Sequence, residues 1–188
     1  AKFSHVLAER GRAAQVTDTP DGDRVRVDKP TVAYGGFDPT ADSLHVGNLV
    51  PIMGLAHLQR CGHRPIVLVG GATGLVGDPG GKTESRPLMS EDTVRQNTAA
   101  IAKQIGRFID FGDASNPRTN DAVLVNNLDW IGPLSWLEVL RDVGSKISVN
   151  RMVSMEYIAR RLSGEGEGIS YLEFSYMIMQ AYDFVHLR

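Results

Sequence analysis

Apolar residues along this chain fall into two kinds of stretch. In three places they form short continuous runs: Thr31 to Gly36 (Thr-Val-Ala-Tyr-Gly-Gly), Ile66 to Gly71 (Ile-Val-Leu-Val-Gly-Gly) and Ala122 to Asn126 (Ala-Val-Leu-Val-Asn). Such runs read as strands, and the one at Ile66 is typical of a strand buried on both faces. Elsewhere apolar residues recur at helical spacing. Leu49, Ile52, Met53, Ala56 and Leu58 predict a helix from Gly47 to Cys61, with Pro51 tolerated in its first turn and Gly62 as its stop. Residues 1–16 are helix-like through Phe3, Val6, Leu7 and Val16, and Thr17 to Gly22 is turn-forming. Ser90 is a suitable N-cap for a helix to about Ile109, with Glu91 and Asp92 in its first turn. Further helices are predicted at about 133–143, 149–162 and 171–187, with a Gly/Glu-rich break at Ser163 to Gly168. Strand, helix, strand in succession predicts an α/β fold with a parallel sheet and a right-handed crossover. Gly35 and Gly36 permit a close approach to the first strand.

Composition narrows the class. The 188 residues suffice for a domain with a real core, and 42% of them are hydrophobic. A net charge of −2 gives no global cationic field for nucleic acid, although a local basic face is compatible with it. The single cysteine, Cys61, cannot form an internal disulfide, so a reducing compartment is expected, and it reads as a small core residue. No apolar run approaches a membrane span, and there is no signal pattern, so the expected location is cytoplasmic.

The chemistry concentrates after the first strand, in Asp38-Pro39-Thr40-Ala41-Asp42-Ser43-Leu44-His45-Val46-Gly47-Asn48. Small polar groups and an imidazole where a strand gives way to a helix can hold a phosphate on backbone N–H groups. His45 alone reads equally as a surface or helix-capping histidine. Thr40, five residues earlier, adds a hydroxyl donor. There is no Walker lysine motif, and Gly70-Gly71-Ala72-Thr73-Gly74 only loosely matches a dinucleotide fingerprint. Gly74 to Lys82 supplies a carboxylate and a cation beyond the second strand, where ligands of open α/β sheets bind. Tyr176, Gln180 and Asp183 stand at i, i+4 and i+7, so one helix face presents all three. The bland alternative is a polar stripe on an amphipathic helix.

His45-Val46-Gly47-Asn48 resembles the HIGH signature of class I aminoacyl-tRNA synthetases, most closely the bacterial-type tyrosyl-tRNA synthetase family. Tyr34 to Thr40, Gly77-Asp78-Pro79 with Lys82 and Arg86, Asn126 to Gly132, and Glu173 to Phe184 carry the same resemblance in order. It covers the chain from about residue 30. Asn48 replaces the second histidine common in the signature; it can still donate a hydrogen bond but carries no charge.

The resemblance implies a Rossmann-like catalytic domain over 30–188, an N-terminal extension over 1–29 and a helical dimerisation insertion from about 130 to 165. It implies L-tyrosine, ATP with Mg2+, and tRNA(Tyr) as substrates, a homodimer, and no protein-ligated metal. Thr40, His45, Lys82 and Arg86 are the expected catalytic residues, and Asp38, Gly47 and Asn48 the ATP contacts. Tyr34, Gly36, Asp78, Asn127, Tyr176, Gln180 and Asp183 are expected to bind tyrosine. Tyr34 and Asp183 take the phenol, and Tyr176, Gln180 and Asp78 the ammonium; Trp130 reads as pocket wall or plain core. The ribose-binding and KMSKS loops of the family are not found in these residues, so the reading is of an N-terminal catalytic part whose sheet lacks its last strands. A non-catalytic tyrosine-binding or dimerisation module, and a tryptophanyl-type relative, are the competing readings.

Overall fold

The computed structural model describes residues 3–12, 29–77, 89–164 and 168–188. Asp78, Lys82 and Arg86, and the predicted turn at Thr17 to Gly22, lie outside the described residues. Three strands, β1 (Val32–Phe37), β2 (Arg64–Val69) and β3 (Val123–Asn126), form a parallel sheet in the order β1-β2-β3. Each predicted strand is present. Helices α1 (Phe3–Glu9), α2 (Leu49–Arg60), α3 (Gly71–Val76) and α4 (Glu91–Ile105) accompany them. After β3 come α5 (Leu128–Ile131), α6 (Trp136–Glu138), α7 (Val149–Val153), α8 (Glu156–Leu162) and α9 (Tyr171–His186). No described helix is long and apolar enough to cross a membrane.

Contacts divide the chain into two compact units. The first comprises Ala1–Phe37, Ser43–Leu68 and Ala100–Val125; the second comprises Asp38–Asp42, Val69–Ala99 and Asn126–Arg188. In sequence, the division falls at the carboxyl end of each strand.

The first unit holds the main core. Phe37 from β1, Ile52 and Leu58 from α2, Val67 from β2, and Ile101 and Ile105 from α4 are buried together, with Phe3 of α1 packed against them. Gly35 serves this packing: a Cβ there would lie 3.0 Å from Leu55 Cδ1, so its close approach is to α2. Helix α2 ends at Gly62, whose φ of 87° requires glycine. Cys61 lies half-buried at that end rather than in the core. Gln59 secures the loop before β3: its Nε2 donates to Asp110 O and Asn120 O, and its Oε1 accepts from Asp110 N.

Helix α4 begins as expected, with Ser90 Oγ accepting from Thr93 N at 3.2 Å. It stops at Ile105 rather than Ile109 because Gly106 follows and the chain tightens, Phe108 N donating to Ile105 O. Ile109 is buried all the same, from the turn beyond.

The second unit departs more from the periodicity. The Gly-rich stretch after β2, where the periodicity predicts no helix, contains α3. Glycine usually weakens a helix, but here it removes clashes: a Cβ on Gly74 would meet Pro39 Cδ at 3.0 Å. The helix predicted at 133–143 is a single turn, α6, running into a π-helical turn at Val139–Val143 and a 3-10 turn at Gly144–Lys146. The one at 149–162 is two helices, because Met155 is extended (ψ 132°) and Ser154 Oγ donates back to Arg151 O.

Helix α9 is anchored at its start. Ser170 and Glu173 form a capping box, Glu173 N donating to Ser170 Oγ and Ser170 N to Glu173 Oε2. Arg161 of α8 meets the same carboxylate at 3.3 Å, both side chains being buried, and also donates to Gly168 O. Burial alone would raise the Glu173 pKa; the Ser170 hydrogen bonds and the Arg161 charge outweigh it and hold the carboxyl below its ordinary range. A depressed carboxylate stabilises the fold above its unfolded pKa, and that contribution disappears as pH falls through the folded value. Glu173→Ala takes the opposite charge away from a buried Arg161, so it is expected to cost about 3–5 kcal/mol at neutral pH. The cost should shrink steadily below pH 4.5, the ordinary glutamate value. Denaturant melts of both proteins across that range measure it; a pH-independent difference would contradict this account.

Candidate active site

The second unit brings four of the expected residues into one hydrogen-bonded network. Asp183, on α9, is 3% exposed. Its Oδ2 accepts from Asn127 Nδ2 at 3.2 Å and its Oδ1 from Trp130 Nε1 at 2.9 Å. Asn127 is fully buried, and its Oδ1 accepts from Ala72 N at 2.8 Å. That bond fixes the amide orientation and aims Nδ2 at Asp183 and at Thr73 Oγ1. Thr73 Oγ1 in turn donates to Asp38 Oδ1 at 2.7 Å, and Tyr176 OH donates to Asp38 Oδ2 at 2.7 Å.

Two carboxylates, one per end, are therefore joined through Thr73 and Asn127. Their environments differ. Desolvation raises the Asp183 pKa, with the Asp38 charge adding to it, against the lowering effect of the Trp130 and Asn127 hydrogen bonds and of His186.

Local sequence explains the assembly. Asn126 ends β3 and Asn127 follows it, and both bind α3: Gly71 N donates to Asn126 Oδ1 at 3.1 Å. Gly70 and Gly71 must lack side chains here. A Cβ on Gly70 would fall 2.1 Å from Thr73 Oγ1 and 2.2 Å from Asp38 Oδ1, and one on Gly71 2.2 Å from Asn126 Oδ1. Helical spacing puts Tyr176 and Asp183 on one face of α9, and Gln180 between them is exposed. Thr40 is exposed, its N–H on Asp38 O. Asp38, expected as an ATP contact, has both carboxylate oxygens engaged by protein donors. Thr73 was not singled out by the sequence reading. A lone threonine in a Gly-rich run directly after a strand was the available signal.

The remaining expected residues are described in the first unit. Tyr34 is half-buried and Gly36 exposed on β1. His45 is exposed and caps the 3-10 turn Val46–Asn48. Its Nδ1 accepts from Gly47 N at 3.1 Å, and its own N–H donates to Asn48 Oδ1 at 3.0 Å. The capping reading of His45 is thus met, and the cap uses only Nδ1 of the ring. Accepting at Nδ1 places the proton of the neutral ring on Nε2, which is then a donor. Gly47 makes this possible, since a Cβ there would lie 2.9 Å from the imidazole. With Oδ1 engaged, Asn48 has its Nδ2 group to offer.

Among the described residues, no group of three or more His, Cys, Asp or Glu could hold a metal ion. A separate apolar cavity of about 690 Å3 in the second unit is lined by Leu134, Trp136, Leu140, Tyr171 and Leu172 among others. A polar one of about 600 Å3 in the first unit is lined by Gln59, Arg60, Arg107 and Arg118 among others. Neither is lined by Asp183.

A family model described as tRNA synthetases class I (W and Y) matches residues 26–188. The chain belongs to this family. A tyrosine–tRNA ligase of Desulfosudis oleivorans is 51% identical over 182 residues, covering 97% of this chain and 40% of that protein. One from Brucella abortus is 48% identical over 186 residues, covering 99% of this chain and 43% of that protein. The chain spans about two fifths of the length of these curated relatives. A C-terminally truncated Aspergillus nidulans mitochondrial tyrosyl-tRNA synthetase superposes with a TM-score of 0.78 at 33% identity, covering 99% of this chain and 54% of that one. The Coccidioides posadasii counterpart gives 0.76 at 32%, covering 99% and 51%. In this member of the class I synthetases, the sequence reading of fold and family agrees with both comparisons.

The raised pKa of Asp183 has a measurable consequence. A carboxyl whose folded pKa lies above its unfolded value penalises the folded state at high pH, and the penalty vanishes below the unfolded value, here 3.8. Asp183→Asn keeps the shape, removes the charge and still accepts from Trp130. It is expected to melt higher than the wild type at neutral pH, the advantage declining to nothing as pH falls toward 3.8. Thermal melts over this range check it; an advantage that grew in acid would contradict the assignment.

Proposed function

We propose that this chain is the tyrosine-activating part of a tyrosine–tRNA ligase, acting on L-tyrosine, ATP with its Mg2+, and tRNA(Tyr). One observation carries the reading: the buried Asp183 carboxylate, held by the Asn127 and Trp130 N–H donors beside the Tyr176–Asp38 pair. A phenol hydroxyl gives such an anion a further donor, whereas a phenyl ring leaves it one donor short at a cost of about 1–3 kcal/mol. Tyr34 is the second phenol partner. Tyr176, Gln180 and Asp78 take the ammonium, and Gly36 and Asn127 complete the tyrosine site. An indole N–H would also find an acceptor in Asp183, so it is the relatives, named tyrosine–tRNA ligases, that disfavour the tryptophanyl reading.

In the first step a tyrosine carboxylate oxygen attacks the α-phosphorus of ATP. The new P–O bond forms as the bridging bond to the β-phosphate breaks, and pyrophosphate leaves with that electron pair. The nucleophile is already an anion, so no protein base is needed. The protein's contribution is positioning and stabilisation of charge. Thr40 and His45 donate to that charge, His45 through Nε2–H. Asp38, Gly47 and Asn48 meet the nucleotide, and Lys82 and Arg86 the departing pyrophosphate. In the second step a hydroxyl of the terminal tRNA ribose attacks the tyrosyl carbonyl and AMP leaves.

The catalytic domain is 30–188, after an extension at 1–29. The helical insertion at about 130–165 makes a homodimer. The exposure of Trp136 (57%), Leu137 (75%) and Val149 (61%) supports that contact. The setting is the cytoplasm.

Tyrosine-dependent ATP–pyrophosphate exchange, measured on this chain and on a protein of the relatives' full length, tests the reading. Exchange by either is expected; tyrosine binding with no exchange in both would favour the binding-module alternative. His45→Ala should lower the exchange rate by about 10²-fold while changing tyrosine affinity little. Equal losses in both would remove the transition-state role. Asp183→Ala should erase most of the preference for tyrosine over phenylalanine in the same assay. A preference that survived intact would place the phenol elsewhere.

A further inference from the structure

Trp130 has a second neighbour on α9 besides Asp183. The His186 imidazole lies flat on the Trp130 indole, ring centroids 4.4 Å apart and planes 14° from parallel. His186 is the last residue of α9, and Asp183 stands three residues before it. Residues three apart on a helix share a face. The same face of α9 thus touches Trp130 twice: Asp183 accepts its Nε1–H, and His186 stacks on its ring. Trp130 itself sits on α5, a single turn of four residues, and is only half-buried. A half-buried indole on so short a helix is poorly held by its own element. The stack supplies the second point that fixes the ring plane, and therefore the direction of N–H.

We propose that His186 is a positioning residue for phenol recognition, holding Trp130 so that its Nε1–H stays on Asp183. The inference rests on the tyrosine reading of the site. Three groups besides His186 act on Asp183 in the described structure: Asn127 and Trp130 as donors and Asp38 as a like charge. Losing the Trp130 donor leaves Asn127 alone to hold the direction of the carboxylate, so a phenol meets an acceptor that is no longer fixed in place. A phenyl ring makes no use of that acceptor. The consequence is a change in selectivity rather than a uniform loss of binding.

The test compares His186→Ala, His186→Phe, Trp130→Phe and the His186→Ala/Trp130→Phe double variant of the 188-residue chain by equilibrium binding of L-tyrosine and L-phenylalanine. His186→Ala is expected to weaken tyrosine about 10-fold and leave phenylalanine unchanged. His186→Phe, which keeps a flat ring, should restore tyrosine affinity. The double variant should bind tyrosine no more weakly than Trp130→Phe alone, because both changes remove one hydrogen bond. Full tyrosine affinity in His186→Ala, equal losses for both amino acids, or additive losses in the double variant would overturn the proposal. A second readout is independent of any ligand. With Trp136→Phe removing the other tryptophan, His186→Ala should shift Trp130 emission and raise its quenching by acrylamide; unchanged emission and quenching would overturn the stack. A wild type that bound neither amino acid would sink the tyrosine reading and the selectivity claim with it, while the fluorescence would still report on the stack.

Discussion

A carboxylate taken out of water must be given N–H donors or it will not stay ionised, and the second unit is arranged around meeting that demand at Asp183. Both donors come from the residues directly after β3: Asn127 and, one short turn later, Trp130. Neither is free to point elsewhere. Asn127 is oriented by the backbone of α3 through Ala72 N, and α3 is held to β3's end a second time through Asn126. The requirement at one side chain of α9 therefore dictates the start of α5, the placement of α3 and the amide orientation that links them.

The same network separates two acids that would otherwise be chemically alike. Asp38 receives two hydroxyl donors, from Thr73 and Tyr176, whereas Asp183 receives two N–H donors at a more deeply buried position. Desolvation dominates at Asp183 and raises its pKa, and the negative charge of Asp38 pushes in the same direction. Environment rather than residue type decides what each carboxyl of such a network can do. A deeply placed anion with incomplete donors discriminates between ligands that bring a hydrogen-bond donor and ligands that do not. Asp38, already supplied by two hydroxyls, has less need of a ligand donor.

What could be read from residues alone follows from which physics is local. The three strands were legible because continuous apolar runs have few other uses, and the face shared by Tyr176, Gln180 and Asp183 was legible because helical spacing is arithmetic. Helix α3 was not. Its glycines argue against a helix by propensity, and only the approach of Pro39, Thr73 and Asn126 explains why they are there. Thr73 was missed for the same reason: its importance lies in Asp38 and Asn127, distant in sequence and adjacent in space. His45 is the intermediate case. Its position at a helix start was evident, and of the two readings offered for it the cap is the one the structure shows. The cap engages Nδ1 and leaves Nε2 as the donor.

Helix α9 carries opposite kinds of electrostatics at its two ends. Near its start, Glu173 is over-supplied, with Ser170 donating twice and Arg161 adding a full opposite charge, so its carboxyl is held down in pKa. Toward its end, Asp183 is under-supplied and its pKa is raised. A charge that destabilises the folded state persists only where the surrounding structure over-determines it. The buried Arg161–Glu173 pair and the capping box have that effect here: they hold the helix in register from its other end. The residue whose charge is least comfortable is then fixed by bonds made elsewhere. The division has a structural logic. Completing the donors around Asp183 with protein groups would stabilise the helix further, but it would leave the carboxylate nothing to ask of a ligand.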